Sequence, residues 1–445
     1  MKISKILGLV VLFLAASQLQ AQKKSLSLNE AVKMAVTNSN QAVLADTKVT
    51  TASFETQSVK MNQYPDLKIS GQYMRLTNAD INLKSSSESN SGEDTQEGAS
   101  SPKVNQLILG QANLSVPIFS GGKLRNSIKS SENRYRSEQA NAAHSKEQVA
   151  MEVVQYYADL YKVQKSIELL RESIKSQKQR VTDFTNMEEN GLIARNDLLK
   201  AQLAQSRVQI SLDEAEKNER VINYYLVTLL KLPAGTQMQV TPENIDRDVF
   251  EMRLNSEGQA IESRKDLEAL SYAKKASEDE VKVAKADYYP TLALTGGYIF
   301  ADLQNVVRIE NAMNVGVGLS YNISSIFKNG SSVKAAKSRT AELEQQQAIL
   351  TDEIKQEVVR ANEDYQLSLK QDKVYNEAVG QADENFRIVK DKYDNGLVDT
   401  NDLLEADVDD LNAKINVAYS QANIVLKYYE LLEANGQLTQ SFKLN

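Results

Sequence analysis

The sequence predicts a mainly helical protein with an internal duplication, in which long antiparallel helical hairpins alternate with pairs of short β-strands. Two segments reveal the duplication: residues 189–201 (ENGLIARNDLLKA) and residues 394–406 (DNGLVDTNDLLEA) share one pattern about 200 residues apart. In each, a helical pattern ends at Asn-Gly, because glycine readily adopts the left-handed conformation that terminates a helix. An Asn or Asp follows at a typical N-cap or first-turn position, so a second helix is expected to begin there. The repeat predicts two structural halves of similar architecture.

The helix before the first turn has an apolar period of 3.5 residues. Its apolar positions are separated alternately by four and three residues, and only Gln177 interrupts them. This spacing is typical of helices that supercoil against neighbouring helices. The apolar positions are Val149, Val153, Tyr156, Leu160, Val163, Ile167, Leu170, Ile174, Val181 and Phe184.

The composition excludes several classes of function. The 445 residues include no Cys, no Trp and a single His, and the net charge is −7. Without cysteine there can be no thiolate metal site, catalytic thiol or disulfide. A single His without Cys leaves no common nucleophile–base pair, and an acidic chain is a poor phosphate binder. We therefore expect no enzymatic activity, no cofactor, no structural metal and no nucleic-acid partner.

Residues 1–21 are predicted to be a secretory signal peptide. Lys2 and Lys5 precede an apolar run over residues 6–16, and Ala21 is a suitable small residue at a cleavage site. The apolar run is too short for a membrane-spanning helix, and Leu19 leaves the exact cleavage site open. No other stretch has the roughly 18 apolar residues that a transmembrane helix requires. We therefore expect an exported protein without a transmembrane helix.

The first repeat is predicted to cover residues 22–235. It begins with a helix that ends at Tyr64-Pro65, since a residue before proline disfavours helical geometry. Two runs with a period of two, typical of strands, flank a loop rich in Ser, Glu, Gly and Asn at residues 85–101. A helical hairpin follows, whose first helix would be roughly 100 Å long at 1.5 Å per residue. The predicted bounds are about 28–62 for the helix, 67–77 and 106–117 for the strands, and 123–232 for the hairpin.

The second repeat, residues 264–436, has the same order of elements. A less regular linker at residues 236–263 precedes it, and a tail at residues 437–445 follows it. The predicted bounds are 264–287 for the helix, about 291–301 and 312–323 for the strands, and 331–434 for the hairpin.

The four strands have the length and alternation of membrane-spanning strands. Each has about ten residues, with one apolar face and one small or polar face, as expected for lipid outside and water inside. Four strands cannot close a barrel, and an open edge in lipid leaves backbone groups unsatisfied at several kcal/mol each. If these are membrane strands, several copies of the chain must pool them.

The complete pattern resembles the TolC family of outer-membrane efflux ducts. The resemblance rests on the duplicated layout, on Tyr-Pro before each first strand, on residues 116–122 (VPIFSGG), and on the paired Asn-Gly-Leu turns. It implies a homotrimer in the outer membrane that extends into the periplasm, with a twelve-stranded β-barrel continued by an α-barrel of helices. It also implies a passive exit duct of a tripartite efflux or type I secretion system. The expected partners are a periplasmic adaptor (membrane fusion protein), an inner-membrane transporter and outer-membrane lipid.

The resemblance also assigns roles near the start of the last helix. Asp402 and Glu405 lie three residues apart on one helical face, at positions where family members have acidic residues lining a pore constriction. Three copies would form a cation-binding ring. The alternative is that an acidic residue at a helix start complements the helix dipole, and Asp197 in the first repeat has only this interpretation by itself.

Two further groups of residues follow from the same resemblance. Tyr393 and Asp197 match a closed-state latch, whose basic member is missing because Val398 occupies its position; Arg195 is a candidate substitute. Adaptor contact is expected at the hairpin tips, which consist of Gly191, Leu192, Gly396 and Leu397.

A different class of function is also compatible with the pattern: an exported structural coiled-coil or adhesin-like protein without a pore. Extraction from membranes as a detergent-resistant trimer would favour the duct, whereas a soluble periplasmic species would favour the structural protein. Within the duct interpretation, the sequence does not identify the cargo, the adaptor or the pump.

Overall fold

The computed structural model describes residues 23–79, 104–240, 257–304 and 306–443. The predicted signal peptide and the predicted loop at residues 85–101 lie outside these ranges. The chain divides into a hairpin unit (residues 1–50, 137–270 and 346–445) and a sheet unit (residues 51–136 and 271–345). In chain order the elements are β1 (Lys23–Ser25), α1 (Leu28–Asn38), α2 (Asn40–Met61), β2 (Asp66–Ala79), β3 (Val104–Phe119), α3 (Lys123–Glu189), α4 (Arg195–Leu229), β4 (Gln237–Gln239), α5 (Glu257–Ser263), α6 (Lys265–Ala286), β5 (Thr291–Leu303), β6 (Val307–Ser320), α7 (Ser325–Asp394), α8 (Thr400–Ala434) and α9 (Leu438–Ser441).

The sheet unit contains a four-stranded antiparallel sheet in the order β2-β3-β5-β6. Its register brings the predicted apolar positions to one face: Leu114 in β3 lies opposite Leu67 in β2 and Gly296 in β5. Many of these side chains are exposed, and Val315 in β6 has an exposed fraction of 85%. Exposed positions on this face are Leu67, Ile69, Tyr73, Ile108, Leu114, Leu294, Met313, Val315, Val317 and Leu319.

The opposite face of the sheet is small and polar near the start of β2, whereas towards the end of β2 it is apolar: Met74 lies opposite Leu107, and Leu303 lies opposite Val307. One row across the four strands reads Lys68, Asn113, Gly297 and Asn314. The predicted alternation is therefore confirmed in the part of the sheet near the start of β2, with one exposed apolar face and one polar face there. Among the described residues, the outer edges of β2 and β6 have no partner strand.

The turn between β3 and α3 requires glycine at the first position of the Gly121-Gly122 pair. Gly121 has a φ of +61°, and a Cβ atom there would lie 2.7 Å from the Ala286 carbonyl oxygen and 2.8 Å from Cβ of Tyr289. Any larger residue would push this turn away from the end of α6 and the Tyr-Pro segment.

The hairpin unit is held together by a helical core. Buried side chains from α3, α4 and α8 pack together, including Leu160, Leu226 and Leu432. The ring of Phe442, just after α9, stacks on Tyr429 at 5.0 Å between centroids and an interplanar angle of 7°. Residues predicted as a tail therefore complete this core.

The hairpin unit contains a short parallel pair of strands, β1 and β4, that was not predicted from the sequence. Lys23 of β1 lies opposite Gln237 of β4, so the residues just after the predicted signal peptide pair with the start of the predicted linker. Three-residue strands are too short to show a period of two, which is why the sequence did not indicate them. The linker also contains α5, and residues 241–256 lie outside the described ranges.

Several predicted helix bounds were wrong. The first predicted helix is broken at Ser39, whose extended backbone (ψ 149°) separates α1 from α2. Its Oγ accepts a hydrogen bond from the Ala42 N–H, so Ser39 caps the second helix. The helix α7 begins at Ser325, six residues before the predicted start, and continues through Gly330.

Among the described residues, no helix combines the length and apolar character needed to cross a membrane.

Candidate functional site

The two hairpin tips have the same backbone geometry. At the α3–α4 turn, the Leu192 N–H donates to the Met187 carbonyl (2.8 Å), and the Gly191 N–H donates to the Glu188 carbonyl (2.9 Å). This paired pattern is a Schellman motif, and it requires the left-handed φ of +70° at Gly191. The tip is therefore defined by backbone hydrogen bonds.

The α7–α8 turn repeats this motif. The Leu397 N–H donates to the Lys392 carbonyl and the Gly396 N–H donates to the Tyr393 carbonyl, both at 2.9 Å. Gly396 has a φ of +68°. Leu397 is 74% exposed and Leu192 is 71% exposed. Each tip thus presents one leucine that the described residues leave uncovered.

Asp402 belongs to the N-terminal cap of α8. The Asp399 side chain accepts hydrogen bonds from the Asn401 and Asp402 N–H groups, and Asp402 Oδ2 accepts from the Asp399 N–H at 3.4 Å. This is a capping box, in which both carboxylates satisfy backbone donors at the helix start. Asp402 therefore has the local role expected of an acidic residue in the first turn of a helix. This role is separate from any role of Asp402 in a pore.

Glu405 lies one turn beyond Asp402, and both side chains are exposed, whereas Leu403 and Ala406 are buried. Glu405 lines a groove of about 770 Å³ to which α4 contributes Lys200 and Arg207. Glu405, but not Asp402, therefore borders a groove that also contains two cations.

Tyr393 and Asp197, the predicted latch, have separate neighbours. The Tyr393 ring stacks on Phe184, with centroids 5.9 Å apart and an interplanar angle of 22°. The Asp197 carboxylate accepts from Lys200 Nζ at 3.4 Å. No hydrogen bond joins Tyr393 to Asp197 among the residues that the structure describes. Tyr393 nevertheless reaches the first hairpin through its ring.

Arg195, the candidate substitute for the missing basic residue, closes its own turn. Its guanidinium Nη1 lies 3.2 Å from Glu188 Oε1, at the other end of the same α3–α4 tip. The Arg195 side chain is 70% exposed, so this ion pair is expected to be weak. Within the described residues, Arg195 is bound within the first hairpin and not to the second.

A buried polar contact between α3 and α8 was missed. Arg180 Nη1 lies 2.9 Å from Asp407 Oδ2, and the two side chains are 11% and 13% exposed. Gln177 Nε2 donates to the same oxygen of Asp407. Gln177 is the residue that interrupts the apolar stripe, so the interruption itself was the signal for this contact.

A second missed cluster surrounds the start of α6. Arg264 donates to both carboxylate oxygens of Asp266 and to Glu357 Oε2 at 2.9 Å. Burial raises the pKa of Glu433 to about 7, and the neighbouring Glu357 carboxylate adds to this shift. Burial also raises the pKa of Glu147, which accepts a hydrogen bond from Thr439 Oγ1. These carboxylates lie on elements far apart in sequence, so no local motif could indicate them.

Sequence comparisons identify relatives over most of the chain. The family model described as "Outer membrane efflux protein" matches residues 45–230 and 258–441. The outer membrane efflux protein BepC of Brucella suis is 19% identical over 330 residues, covering 73% of this chain and 71% of that protein. Nodulation protein T of Rhizobium leguminosarum is 26% identical over 178 residues, covering 39% of this chain and 37% of that protein.

Solved structures share the fold. The Campylobacter jejuni CmeC outer membrane channel superposes with a TM-score of 0.79 at 20% identity, covering 92% of this chain and 86% of that chain. The Vibrio cholerae outer membrane protein VceC gives 0.77 at 16% identity, covering 92% and 96%. The open state of the Neisseria gonorrhoeae MtrE channel gives 0.72 at 16% identity, covering 93% and 89%. These likenesses confirm the predicted fold class for a single chain.

The family match covers both repeats and favours a duct over the alternative of a structural protein without a pore. This protein therefore belongs to the outer membrane efflux protein family, and it is an outer-membrane protein that extends into the periplasm.

Proposed function

We propose that this protein is the passive exit duct of a tripartite efflux or type I secretion system and works as a homotrimer. The observation that carries the proposal is the open sheet of the sheet unit. Its outer strands β2 and β6 have no partner on their outer edges among the described residues, and one face is apolar and exposed.

In a bilayer, such an open sheet is unstable because each unpaired backbone group costs several kcal/mol. Pairing β6 of one copy with β2 of the next satisfies both edges and preserves the alternation of the two faces. Three copies, the number implied by the resemblance, would give twelve strands. The apolar face would then contact lipid, and the row containing Lys68 and Asn113 would face water.

The protein would conduct its substrate without performing chemistry on it. An inner-membrane transporter would supply energy, and a periplasmic adaptor would contact the hairpin tips. The geometry that supports this docking site is the repeated Schellman turn, which exposes Leu192 and Leu397 at equivalent positions.

We further propose that Asp402 and Glu405 form the pore constriction, and that Tyr393 and Asp197 help to hold it closed. The exposure of both carboxylates at the start of α8 supports the first role. The stacking of Tyr393 on Phe184 supports the role in closure, because this contact connects α7 to the first hairpin. The contact lies near the tip of that hairpin, and Phe184 is close in sequence to Asp197.

Introduced cysteines test the closure of the barrel, because the native chain has none. Ser70 in β2 and Asn314 in β6 both lie on the polar face. Within one chain, two intervening strands separate them by about 14 Å, at about 4.8 Å per strand, which is too far for a disulfide. A Ser70→Cys/Asn314→Cys variant should therefore link only between copies.

Oxidation of this variant in membranes should give covalent dimers and trimers and no larger species. Each single-cysteine variant is the control and should give at most a dimer. Because the register between copies is not fixed in advance, Ala312→Cys and Gly316→Cys are tested in place of Asn314→Cys. Failure of all three pairs to form trimers would contradict closure through β2 and β6.

A further inference from the structure

The sheet face that carries Lys68 and Asn113 changes character along the strands. Two rows further towards the end of β2, the same face carries Gln72, Leu109, Ala301 and Ile309. The next row on this face consists of Met74, Leu107, Leu303 and Val307. No side chain in these two rows is charged. We call their larger apolar side chains the apolar collar, which consists of Met74, Leu107, Leu109, Leu303, Val307 and Ile309.

The other face of the sheet is charged at the level of the apolar collar. Asp302 lies opposite Arg308, and Arg75 follows at the next position of this face in β2. The Arg308 side chain also pairs with Glu310 at 2.5 Å, and its guanidinium carbon lies 5.7 Å from the centre of the Phe300 ring. Charged side chains on the lipid face of a membrane strand are destabilising. Contact with the bilayer core therefore does not explain the apolar collar.

A β-bulge in β6 determines which of its side chains join the apolar collar. Two residues of β6, Glu310 and Asn311, lie opposite the single residue Phe300 of β5. Asn311 has a left-handed φ of 58°, and its N–H donates to the Tyr298 hydroxyl at 3.3 Å. Without the extra residue, Glu310 would lie on the same face as the apolar collar, since a shift of one residue exchanges the two faces. The bulge therefore keeps this face free of charge.

The apolar collar lies at the end of the sheet that is not joined to helices. Residues 80–103 connect β2 to β3 and residues 304–306 connect β5 to β6, whereas the other strand ends lead to α2, α3, α6 and α7. Because the helices extend into the periplasm, the collar end is the outer end of the sheet. A twelve-stranded barrel has a backbone radius of roughly 12 Å, at about 4.8 Å between strands and a tilt of about 40°. The collars of three copies would therefore line a passage narrow enough for a conducted molecule to touch.

Two other occupants fit the apolar collar less well. A second copy of the chain would pair through the free edges of β2 and β6, which leaves both faces of the sheet uncovered. Residues 85–101 of the same chain contain Ala99 and otherwise only Ser, Thr, Asn, Gln, Asp, Glu and Gly, so they offer no large apolar side chain. The remaining occupant is a molecule that passes through the pore.

We propose that the apolar collar is a binding site at the outer mouth of the duct for the apolar part of molecules in transit, such as an alkyl chain. The site rests on the proposed function, because this face lines a pore only in the closed barrel. Since neither row of the collar contains a charge, the site selects apolar surface and not the charge of a headgroup. Burial of that surface from water provides the driving force.

The absence of tryptophan from the chain allows a direct test. Leu303→Trp places a fluorophore in the apolar collar, and Val315→Trp places one on the opposite, apolar face as the control. The probes are bromobutyl-, bromohexyl- and bromooctyl-trimethylammonium, which carry bromine at the chain end, because bromine quenches tryptophan on contact. Each probe is titrated into the protein in phosphatidylcholine nanodiscs, and the tryptophan emission is measured.

We expect saturable quenching of Leu303→Trp. Its dissociation constant should fall about sixteenfold from the bromobutyl to the bromooctyl probe, because each of the four added CH₂ groups contributes about twofold when half buried. Leu107→Thr/Ile309→Thr in the same background should remove most of this dependence on chain length. Asn113→Thr/Asn314→Thr, on the same face but nearer the start of β2, should retain it. Quenching of Val315→Trp should rise without saturation, since it reports partition of the probe into lipid.

Three results would overturn the apolar collar as a binding site. The dissociation constant could be independent of chain length, or its dependence could persist in Leu107→Thr/Ile309→Thr. Quenching that appeared only after deletion of residues 85–101 would show that this segment occupies the collar instead.

Brominated phosphatidylcholine separates these results from a failure of the proposed function. In nanodiscs of this lipid, without added probe, Val315→Trp should be quenched and Leu303→Trp should keep its emission. That pattern leaves the duct intact whatever the probes show at the collar. Quenching of Leu303→Trp by the lipid, or no quenching of Val315→Trp, would contradict the assignment of the two faces and with it the proposed function.

Discussion

Arg180 of α3 and Asp407 of α8 form a buried ion pair with an N–O distance of 2.9 Å. The same carboxylate oxygen of Asp407 also accepts from Gln177, whose Oε1 is buried without a hydrogen-bond partner among the described residues. Both hairpins of the duplicated fold therefore meet through a polar contact that is largely buried. The pair specifies one alignment of α3 on α8, because a shift of either helix would leave a buried charge unpaired.

Removal of one partner of this pair should destabilise the protein more than removal of both. Asp407→Ala leaves Arg180 buried and unpaired, at an expected cost of about 3 kcal/mol. The double variant Arg180→Met/Asp407→Leu replaces the pair with apolar side chains and should recover most of this loss. The measurement is the midpoint temperature of helix melting by circular dichroism in detergent.

Arg171→Met provides a matched control on the same helix. Arg171 pairs with Glu216 of α4 at 2.8 Å, but its side chain is 62% exposed. Water screens such a pair, so the melting temperature should change little. If Arg171→Met and Asp407→Ala lowered the melting temperature equally, burial would not explain the effect of Asp407.

The acidic pair at the start of α8 predicts a conductance that divalent cations block. In planar bilayers, the parent protein should show a small cation-selective conductance that millimolar Mg²⁺ reduces, because rings of carboxylates bind divalent ions. Asp402→Ala/Glu405→Ala should relieve the block. The capping box at Asp402 requires a folding control, since loss of a cap costs about 1 kcal/mol.

Two further variants, Asp402→Asn/Glu405→Gln and Asp409→Ala, separate the effect of the two charges on the block from effects of folding and of position along α8. Asp402→Asn/Glu405→Gln removes both charges and retains a side-chain oxygen that can accept from the Asp399 N–H. Asp409→Ala removes an exposed carboxylate further along α8. Only Asp402→Asn/Glu405→Gln should relieve the block by divalent cations. If the block persisted in this variant, the constriction would lie elsewhere.

The proposed latch predicts that the Tyr393 hydroxyl and the Asp197 carboxylate both favour the closed state. Tyr393→Phe retains the ring that stacks on Phe184 and removes only the hydroxyl. Combined with Asp197→Ala, it should raise the closed-state conductance while the melting temperature stays close to that of the parent. The measurement is again single-channel conductance in planar bilayers.

Lys200→Ala is the informative comparison for the latch. Lys200 holds the Asp197 carboxylate at 3.4 Å in the described structure, so its removal frees that carboxylate. A latch between Tyr393 and Asp197 should then be strengthened, and the closed-state conductance should fall or stay constant. A conductance that was unchanged in Tyr393→Phe/Asp197→Ala would contradict the latch.

Much of the fold was predictable because it depends on patterns that are local in sequence. The long helix 123–189 was predicted with the bounds that the structure shows, since Gly121-Gly122 precedes it and Asn-Gly ends it. The two kinds of position along each strand were predictable from the period of two, whereas the pairing register was not predicted and comes from the structure. The start of α7 was predicted six residues too late, because the hydrogen bond from Asn329 to the Ala284 carbonyl, which holds the helix there, joins residues 45 apart in sequence.

The candidate site was less predictable, because its chemistry depends on contacts between distant segments. Asp402 and Glu405 were singled out through the resemblance to the TolC family, and both side chains are exposed in the structure. The partner of Arg180 is 227 residues away in sequence, and the partners of Arg264 include Glu357 on another helix. Gln177, which interrupts the apolar stripe, indicates that a polar contact lies near Arg180, but neither contact has a spacing that identifies the partner residue without the fold.

The raised pKa of Glu433 predicts that the protein loses stability as the pH rises towards neutrality. Its carboxyl group titrates near 7 in the folded protein and near 4.5 in the unfolded chain, so the folded state binds an extra proton between these values. The stabilisation is complete below about pH 4.5 and is lost as the pH rises through 7, by at most about 3 kcal/mol. The surrounding charges are Glu147 on α3, Arg264, Glu357 on α7 and Glu430 on α8 itself, and the three carboxylates favour the protonated form.

Melting temperatures measured between pH 5 and pH 8 would reveal this titration. The parent protein should become less stable across this range, and Glu433→Gln, which cannot ionise, should remove most of the dependence. Glu430→Gln is the matched control, because it removes a nearby carboxylate that pairs with Lys427 and should leave the titration of Glu433 in place. If Glu433→Gln kept the full pH dependence of the parent, the proton would be bound elsewhere, and Glu147 would be the next carboxyl group to replace, since burial raises its pKa as well.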